Sequence, residues 1–198
     1  MLLKDLYIKL TFTLLLASLS FNAFAFSCNE KSPTFIKEGD KYFNLSNAKP
    51  LTKKQKASAK RLFSPLKKRL KGKGVTTSCA EENGKTKKIH ISEKLSAEVD
   101  FQSNGKLVIL LEIYNKKDKT TLNESLVFFG NEGFNSLIKQ TKKSFVFNYK
   151  IRNLIRGSPS GFNERFITLS VKNGVLTIDT QIFYNGYFAY STKRILHP

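Results

Sequence analysis

Asn-Gly pairs punctuate the second half of this chain, each set between apolar-rich runs: Asn104-Gly105, Asn173-Gly174 and Asn185-Gly186. Both residues tolerate positive φ, which a type I′ turn demands at its two central positions. The dipeptide therefore predicts a β-hairpin at each place. At Asn173-Gly174 the register can be read directly: Val171 pairs with Leu176, Leu169 with Ile178 and Ile167 with Thr180, all on one face. Lys172, Ser170 and Thr168 then point the other way, so pairing and alternation agree.

At Asn104-Gly105 a two-residue turn pairs Phe101 with Val108 and Val99 with Leu110. Its second strand, 107–113 (LVILLEI), is apolar on both faces apart from Glu112, which predicts a central strand with both faces covered. This register puts Glu112 beside Val99 and Phe101 as a candidate buried acid. At Asn185-Gly186 strict two-residue pairing sets Lys193 opposite Ile178, a mismatch that a bulge would repair. Further strand candidates lie at 75–79, 87–92, 120–129 and 144–152, and 131–140 fits a short helix.

Ahead of these strands the pattern changes to helical. Thr52 with Gln55 three residues on forms a capping box that starts a helix at Lys53. Ala59, Leu62, Phe63, Leu66 and Leu70 follow at helical spacing on one face. Pro65 either kinks this helix or opens a second short one capped by Ser64. Gly72 and Gly74 are expected to end the element. The reading is a mainly β (α+β) fold: an N-terminal amphipathic helix packed on an antiparallel meander of seven to nine strands, closed as a barrel or folded as a sandwich. Helix, Gly-rich opening strand and meander in that order resemble lipocalin-type barrels in architecture. Those barrels carry Gly-x-Trp at the opening strand, and Gly72-Lys73-Gly74 has no Trp.

Residues 1–25 read as a signal peptide. Lys4 and Lys9 flank the start of an apolar run at 10–19, and Ala23-Phe24-Ala25 supplies small residues at −3 and −1, so cleavage is expected between Ala25 and Phe26. The run is short for a membrane span. Ala25-Phe26-Ser27 is a poor lipobox for Cys28. The expected organisation is thus a leader (1–25), an irregular segment (26–50) broken by Pro33, Gly39 and Pro50 with a strand-like patch at 42–45, and one helix-plus-β domain (51–198). The location follows as periplasmic or secreted.

Export changes how the cysteines and the charge are read. Cys28 and Cys79, an isolated pair in an exported chain, are expected to form one disulfide that pins the N-terminal segment to the body. The chain carries 34 Lys and Arg against 15 Asp and Glu, a formal net charge of +19; without Lys4, Lys9 and Asp5 the remainder keeps +18. Such a charge favours anionic partners. The densest basic stretch runs from Thr52 to Lys73, has no acid, and includes Lys60, Arg61, Lys67, Lys68, Arg69 and Lys71. A basic face behind an apolar stripe fits an anionic membrane surface, a glycolipid or an acidic protein. Nucleic acid is a poor fit for an exported chain.

Catalytic and cofactor signatures fail on inspection. Gly84-Lys85-Thr86 lacks the first glycine of a phosphate loop, since position 79 is Cys. Residues 157–161 carry Pro where a nucleophile elbow needs its Ser. His90 sits in an alternating run, His197 is next to last, and Glu98, Asp100 and Asp179 read as partners for nearby cations. No metal or cofactor is expected. The functional expectation is an exported non-enzymatic binding protein that engages an anionic envelope partner. The alternative is a lipocalin-like carrier of a small apolar ligand, which would show an open interior in place of converging Phe101, Leu110, Leu169 and Ile178.

Overall fold

The computed structural model describes residues 28–39, 41, 51–66, 69–115, 118–129, 135–153 and 161–198. The leader, the patch at 42–45, Lys67 and Lys68 lie outside them. Among the described residues two helices, α1 (Pro33–Glu38) and α2 (Lys53–Phe63), and a 3₁₀ turn (Ser64–Leu66) precede nine strands. The strands are β1 (Leu70–Glu82), β2 (Lys85–Phe101), β3 (Leu107–Asn115), β4 (Thr120–Phe128), β5 (Asn135–Gln140), β6 (Ser144–Asn153), β7 (Gly161–Lys172), β8 (Val175–Tyr184) and β9 (Tyr187–His197).

All nine strands join one antiparallel sheet in the order β4-β3-β2-β1-β9-β8-β7-β6-β5. The last strand returns to the first, so the β1–β9 seam joins two meanders. β4 and β5 are consecutive in sequence yet form opposite edges. Seven residue steps separate Phe128 from Asn135, a reach of at most about 25 Å, so the sheet has to curl to bring its edges together. The result is a half-barrel. Ring contacts between strands far apart in the sheet order follow from that curl: Phe128 of β4 lies 4.7 Å from Phe147 of β6, and Phe129 lies 5.6 Å from Phe145.

One face of every strand lines the inside. Leu95, Ala97, Val99 and Phe101 of β2, alternate residues of β3, and Phe145, Phe147, Leu169, Ile178 and Leu196 form a single buried cluster. Ala59, Phe63 and Leu66 belong to the same cluster, and the Phe63 ring sits 5.8 Å from Phe145.

The hairpins show how turn geometry sets register. Val171↔Leu176, Leu169↔Ile178 and Ile167↔Thr180 pair as expected around Asn173 and Gly174, both at positive φ. At the third turn a bulge between Ile182 and Phe183 moves Lys193 opposite Asp179. At the first, only Gly105 has positive φ, so no I′ turn forms. A wider loop closes instead, with Gln102 N–H donating to Lys106 O (2.8 Å) and Gly105 N–H to Gln102 O (2.9 Å). Phe101 therefore pairs with Leu107 and Val99 with Ile109. A one-residue slip flips a whole strand. Glu112 is thus on the outer face, not a buried acid, and Leu110 points outward at 49% exposure, so the second face of β3 is uncovered.

Other expectations need correction. A further Asn-Gly pair, Asn83-Gly84, turns β1 into β2 with both residues at positive φ. The helix starts on the expected capping box, with Gln55 N–H donating to Thr52 Oγ1 and Thr52 N–H to Gln55 Oε1, but it ends at Phe63. Leu70, Gly72 and Gly74 belong to β1. The reason is long-range: a Cβ on Gly72 would stand 1.9 Å from the Ile195 carbonyl oxygen of β9, so glycine is what lets the seam close. Pro33 does not break the N-terminal segment but starts α1, whose N-cap Ser32 accepts from Thr34 and Phe35 N–H. Pro at the first helical position costs no hydrogen bond. Residues 135–140 are strand, not helix, because Leu137 pairs with Phe147.

Cys28 and Cys79 form the expected disulfide, with Cα atoms 5.7 Å apart. It ties the segment bearing α1 to β1. No helix among the described residues is long and apolar enough to cross a membrane.

Candidate anion-binding face

The outer face of β1, β2, β3 and β9 carries the basic residues in a defined lattice. Lys73 of β1 stands directly opposite Lys94 of β2. Beyond Lys94 comes Tyr114, and beyond Lys73 comes Ile195, so one row across four strands reads Tyr114, Lys94, Lys73, Ile195. One pleat along, the row reads Val75, Lys193, Asp179; on the other side it reads Glu112, Ser96, Lys71, His197. Like charges directly opposite in a sheet are destabilising. Here they are bracketed by large side chains left in water: Val75 at 42%, Tyr114 and Ile195 both at 39% exposure.

A groove of about 600 Å³ runs over this lattice, lined by Lys71, Lys73, Lys94, Tyr114, Arg69 and Glu112 among others. Among its described lining residues, four cations and one carboxylate give a net charge of +3. A neighbouring groove of about 320 Å³ is lined by Leu110, Glu98, Glu112 and Glu124, and its described lining is net negative, with Arg69 the one cation among those residues. Arg69, Ser96 and Glu112 form the wall between them. Arg69 Nη2 donates to Glu112 Oε2 at 2.6 Å and to Ser96 Oγ at 3.2 Å, and Ser96 Oγ–H donates to Glu112 at 3.1 Å. The pair is about half exposed, where such bridges contribute little stability. Its consequence is local neutrality: Arg69 is committed to Glu112.

The sequence-predicted binding residues divide accordingly. Lys71 lines the positive groove and Arg69 forms its wall. Lys60 and Arg61 are exposed on α2, away from β1 in sequence by the 3₁₀ turn. Helical spacing assigns Lys73 to the helix, and neither Lys94 nor Lys193 stands out in the sequence, because only the strand register sets Lys94 opposite Lys73 and Lys193 one row along. Asp179, facing Lys193, has its carboxyl pushed up by burial, with the Lys193 charge opposing the shift. His90 lies on the exposed far end of the β1–β2 ribbon, where its Nδ1 is 3.0 Å from Thr77 Oγ1.

Two buried polar clusters lie elsewhere. Arg194, 6% exposed on the inner face, pairs with Glu124 (2.7 Å) and Glu93 (3.4 Å), and Thr76 Oγ1 donates to Glu93 at 2.8 Å. On the outer face of β6 and β7, fully buried Glu164 accepts from Ser32 Oγ and from Asn148 Nδ2 (2.8 Å), and Lys150 pairs with Glu38 at 2.8 Å. The segment bearing α1 covers this second cluster. Its Phe35 ring packs 5.8 Å from Tyr187, with Lys31 Nζ over both rings.

Comparison with protein-family models and with curated proteins finds no match for this chain.

Proposed function

We propose that this is an exported, non-enzymatic protein whose outer β1–β2–β9 face binds an anionic lipid surface of the cell envelope, a membrane leaflet or a glycolipid layer. The observation that carries this reading is the Tyr114-Lys94-Lys73-Ile195 row. A protein with no use for that face would gain stability by separating Lys73 from Lys94. An anionic headgroup between the two ammonium groups turns the same repulsion into attraction, while the apolar stems and Tyr114 lie against the interfacial region. Each lysine at such a surface contributes about 1 kcal/mol, so Lys71, Lys73, Lys94 and Lys193 together suffice for reversible docking.

In this reading helix α2 packs on the half-barrel as a structural plug. Burial of Ala59, Phe63 and Leu66 supports that role and leaves its lysines facing solvent. The phenylalanines converging inside support a filled interior over a ligand-carrying one. The disulfide supports an oxidising, exported location.

Vesicle sedimentation tests the binding directly. Vesicles rich in phosphatidylglycerol should retain the chain at about 0.01 M salt, where the Debye length is about 30 Å, and release it near 1 M, where it is about 3 Å. Purely zwitterionic vesicles should retain little at either. Equal retention by both vesicle types, or binding indifferent to salt, would contradict the proposal, as would retention only by an acidic protein.

A further inference from the structure

We infer that the free edge of β2, residues 85–92, is a docking site for an extended acidic segment of a partner protein, which adds to the sheet as a further strand. The inference stands apart from the lipid-binding reading, which uses other residues. β2 pairs with β1 over residues 85–97, but with β3 only from Glu93 onward. β3 ends at Asn115, opposite Glu93. The eight residues before Glu93 therefore have no strand on that side among the described residues, in the place where β3 would have continued. Residues 85–90 and Ser92 are exposed, Ile89 at 44%, and Ile91 is half-buried. A row of unpaired ladder groups is a template for another chain.

A ribbon of two strands is marginal in water, yet this one is held in place. Cys79, opposite Lys88, carries the disulfide, and Thr77 Oγ1 meets His90 Nδ1 at 3.0 Å across the same two strands. An edge kept rigid before binding loses little freedom when a strand joins it. Its side chains select which strand. Lys87 is bridged to Glu82, whereas Lys85 and Lys88 have no acid partner among the described residues. Lysines on an open edge keep copies of this chain from pairing through it, since Lys would face Lys. The same lysines attract a strand that presents carboxylates at those positions. The acidic stretch of β1, Glu81-Glu82, lies on an open edge only four residues long, 79–82, so a second copy does not match the eight residues of β2. Register then specifies the occupant. An antiparallel strand running from Ser92 to Lys85 places apolar residues opposite Ile91 and Ile89, and acids opposite His90, Lys88, Lys87 and Lys85. The peptide Thr-Val-Glu-Val-Glu-Glu-Thr-Glu meets that pattern.

Fluorescence anisotropy of that peptide, labelled and blocked at both ends, reads the site against the full chain at about 0.1 M salt. Binding should be saturable. A version with Pro for both Val keeps the charge but loses strand donors, and should bind at least about tenfold more weakly. A version with Lys for every Glu should not bind. Lys87→Gln/Lys88→Gln removes two cross-strand pairs and should weaken binding by about tenfold. Hydrogen exchange followed by NMR should show alternate amides over 85–92 slowed by the peptide, with the amides paired to β1 unchanged. Lys71→Gln/Lys73→Gln should leave peptide affinity within about twofold, since charges beyond about 10 Å are screened at that salt. The same variant should lose vesicle retention, so the two readings fail separately. No saturable binding would overturn the inference. So would equal binding by the Pro or Lys peptide, an unchanged affinity in Lys87→Gln/Lys88→Gln, or binding that slows none of those amides. Dimers of the chain alone that slow the same amides would assign the edge to a second copy and overturn it too.

Discussion

Gly72→Ala should be among the most damaging single substitutions in this protein, lowering stability by about 3 kcal/mol or more. The added Cβ would stand 1.9 Å from the Ile195 carbonyl oxygen and 2.8 Å from its carbon. Both are backbone atoms of β9, so no side chain can rotate away; the strands themselves must part. Overpacking against mobile side chains costs about 1–3 kcal/mol, and a rigid neighbour puts the cost at the top of that range or beyond. The seam is also where the damage spreads furthest, because β1 pairs with both β2 and β9 and, among the described residues, the β1–β9 pairing is the one strand pairing that joins the two meanders. For a chain of this size the melting temperature should fall by about 10 °C. Gly74→Ala is the internal control. There the Cβ would meet Glu93 Oε2 at 2.9 Å, Arg194 Cγ at 3.0 Å and Leu95 Cδ2 at 3.0 Å, all side-chain atoms that can give way. Thermal melts should rank Gly72→Ala well below Gly74→Ala; equal melting temperatures would contradict the close-approach account.

Loss of the Cys28–Cys79 disulfide should have a comparable effect. The bridge closes a loop with a sequence separation of 51, and loop-closure entropy assigns such a bridge about 4 kcal/mol. Its structural role is equally specific. From the bridge the chain runs to α1, where Ser32 meets Glu164 and Glu38 meets Lys150. The bridge also anchors the base of the β1–β2 ribbon, which beyond Ser78 and Glu93 pairs with no third strand. A two-stranded ribbon is marginal in water. Denaturant melts of Cys28→Ser/Cys79→Ser should show a midpoint shift of that order, with proteolysis beginning in residues 28–41 and 79–92. An unchanged midpoint with unchanged cleavage would mean the bridge constrains nothing.

Local chemistry made part of this architecture legible in the sequence. The Asn173-Gly174 hairpin, the bulge before Asn185, the Thr52–Gln55 capping box and the disulfide each depend on residues close together or on a single pairing. The failures share a different cause. Asn-Gly at 104–105 looks the same as the others, but its loop takes five residues, and nothing in the dipeptide shows whether Asn adopts positive φ. Leu62, Leu66 and Leu70 keep a helical spacing past the true end of the helix, while Lys71 to Gly74 has no strand propensity of its own. The approach of the β9 backbone decides that stretch. Asn83-Gly84 was hidden because charged residues, not apolar runs, flank it. Pro33 reads as a breaker until Ser32 is recognised as a cap.

The same limit governs the binding face. Lysine density between Thr52 and Lys73 points to the helix, yet the lattice is built from residues distant in sequence: Lys94 stands opposite Lys73, and Lys193 lies one row along, only when β2 and β9 flank β1. Counting charge located a basic protein. Register locates where its basic residues are forced together.

The most direct test compares two double substitutions that lower the net charge equally: Lys73→Gln/Lys94→Gln on the sheet and Lys53→Gln/Lys54→Gln on α2. Partitioning onto phosphatidylglycerol vesicles at fixed low salt is the measurement. At about 1 kcal/mol per lysine, the sheet pair should weaken partitioning by about thirtyfold and the helix pair by no more than about twofold. Equal losses in the two variants, or a larger loss from the helix pair, would contradict the assignment of the outer β1–β2–β9 face as the binding surface.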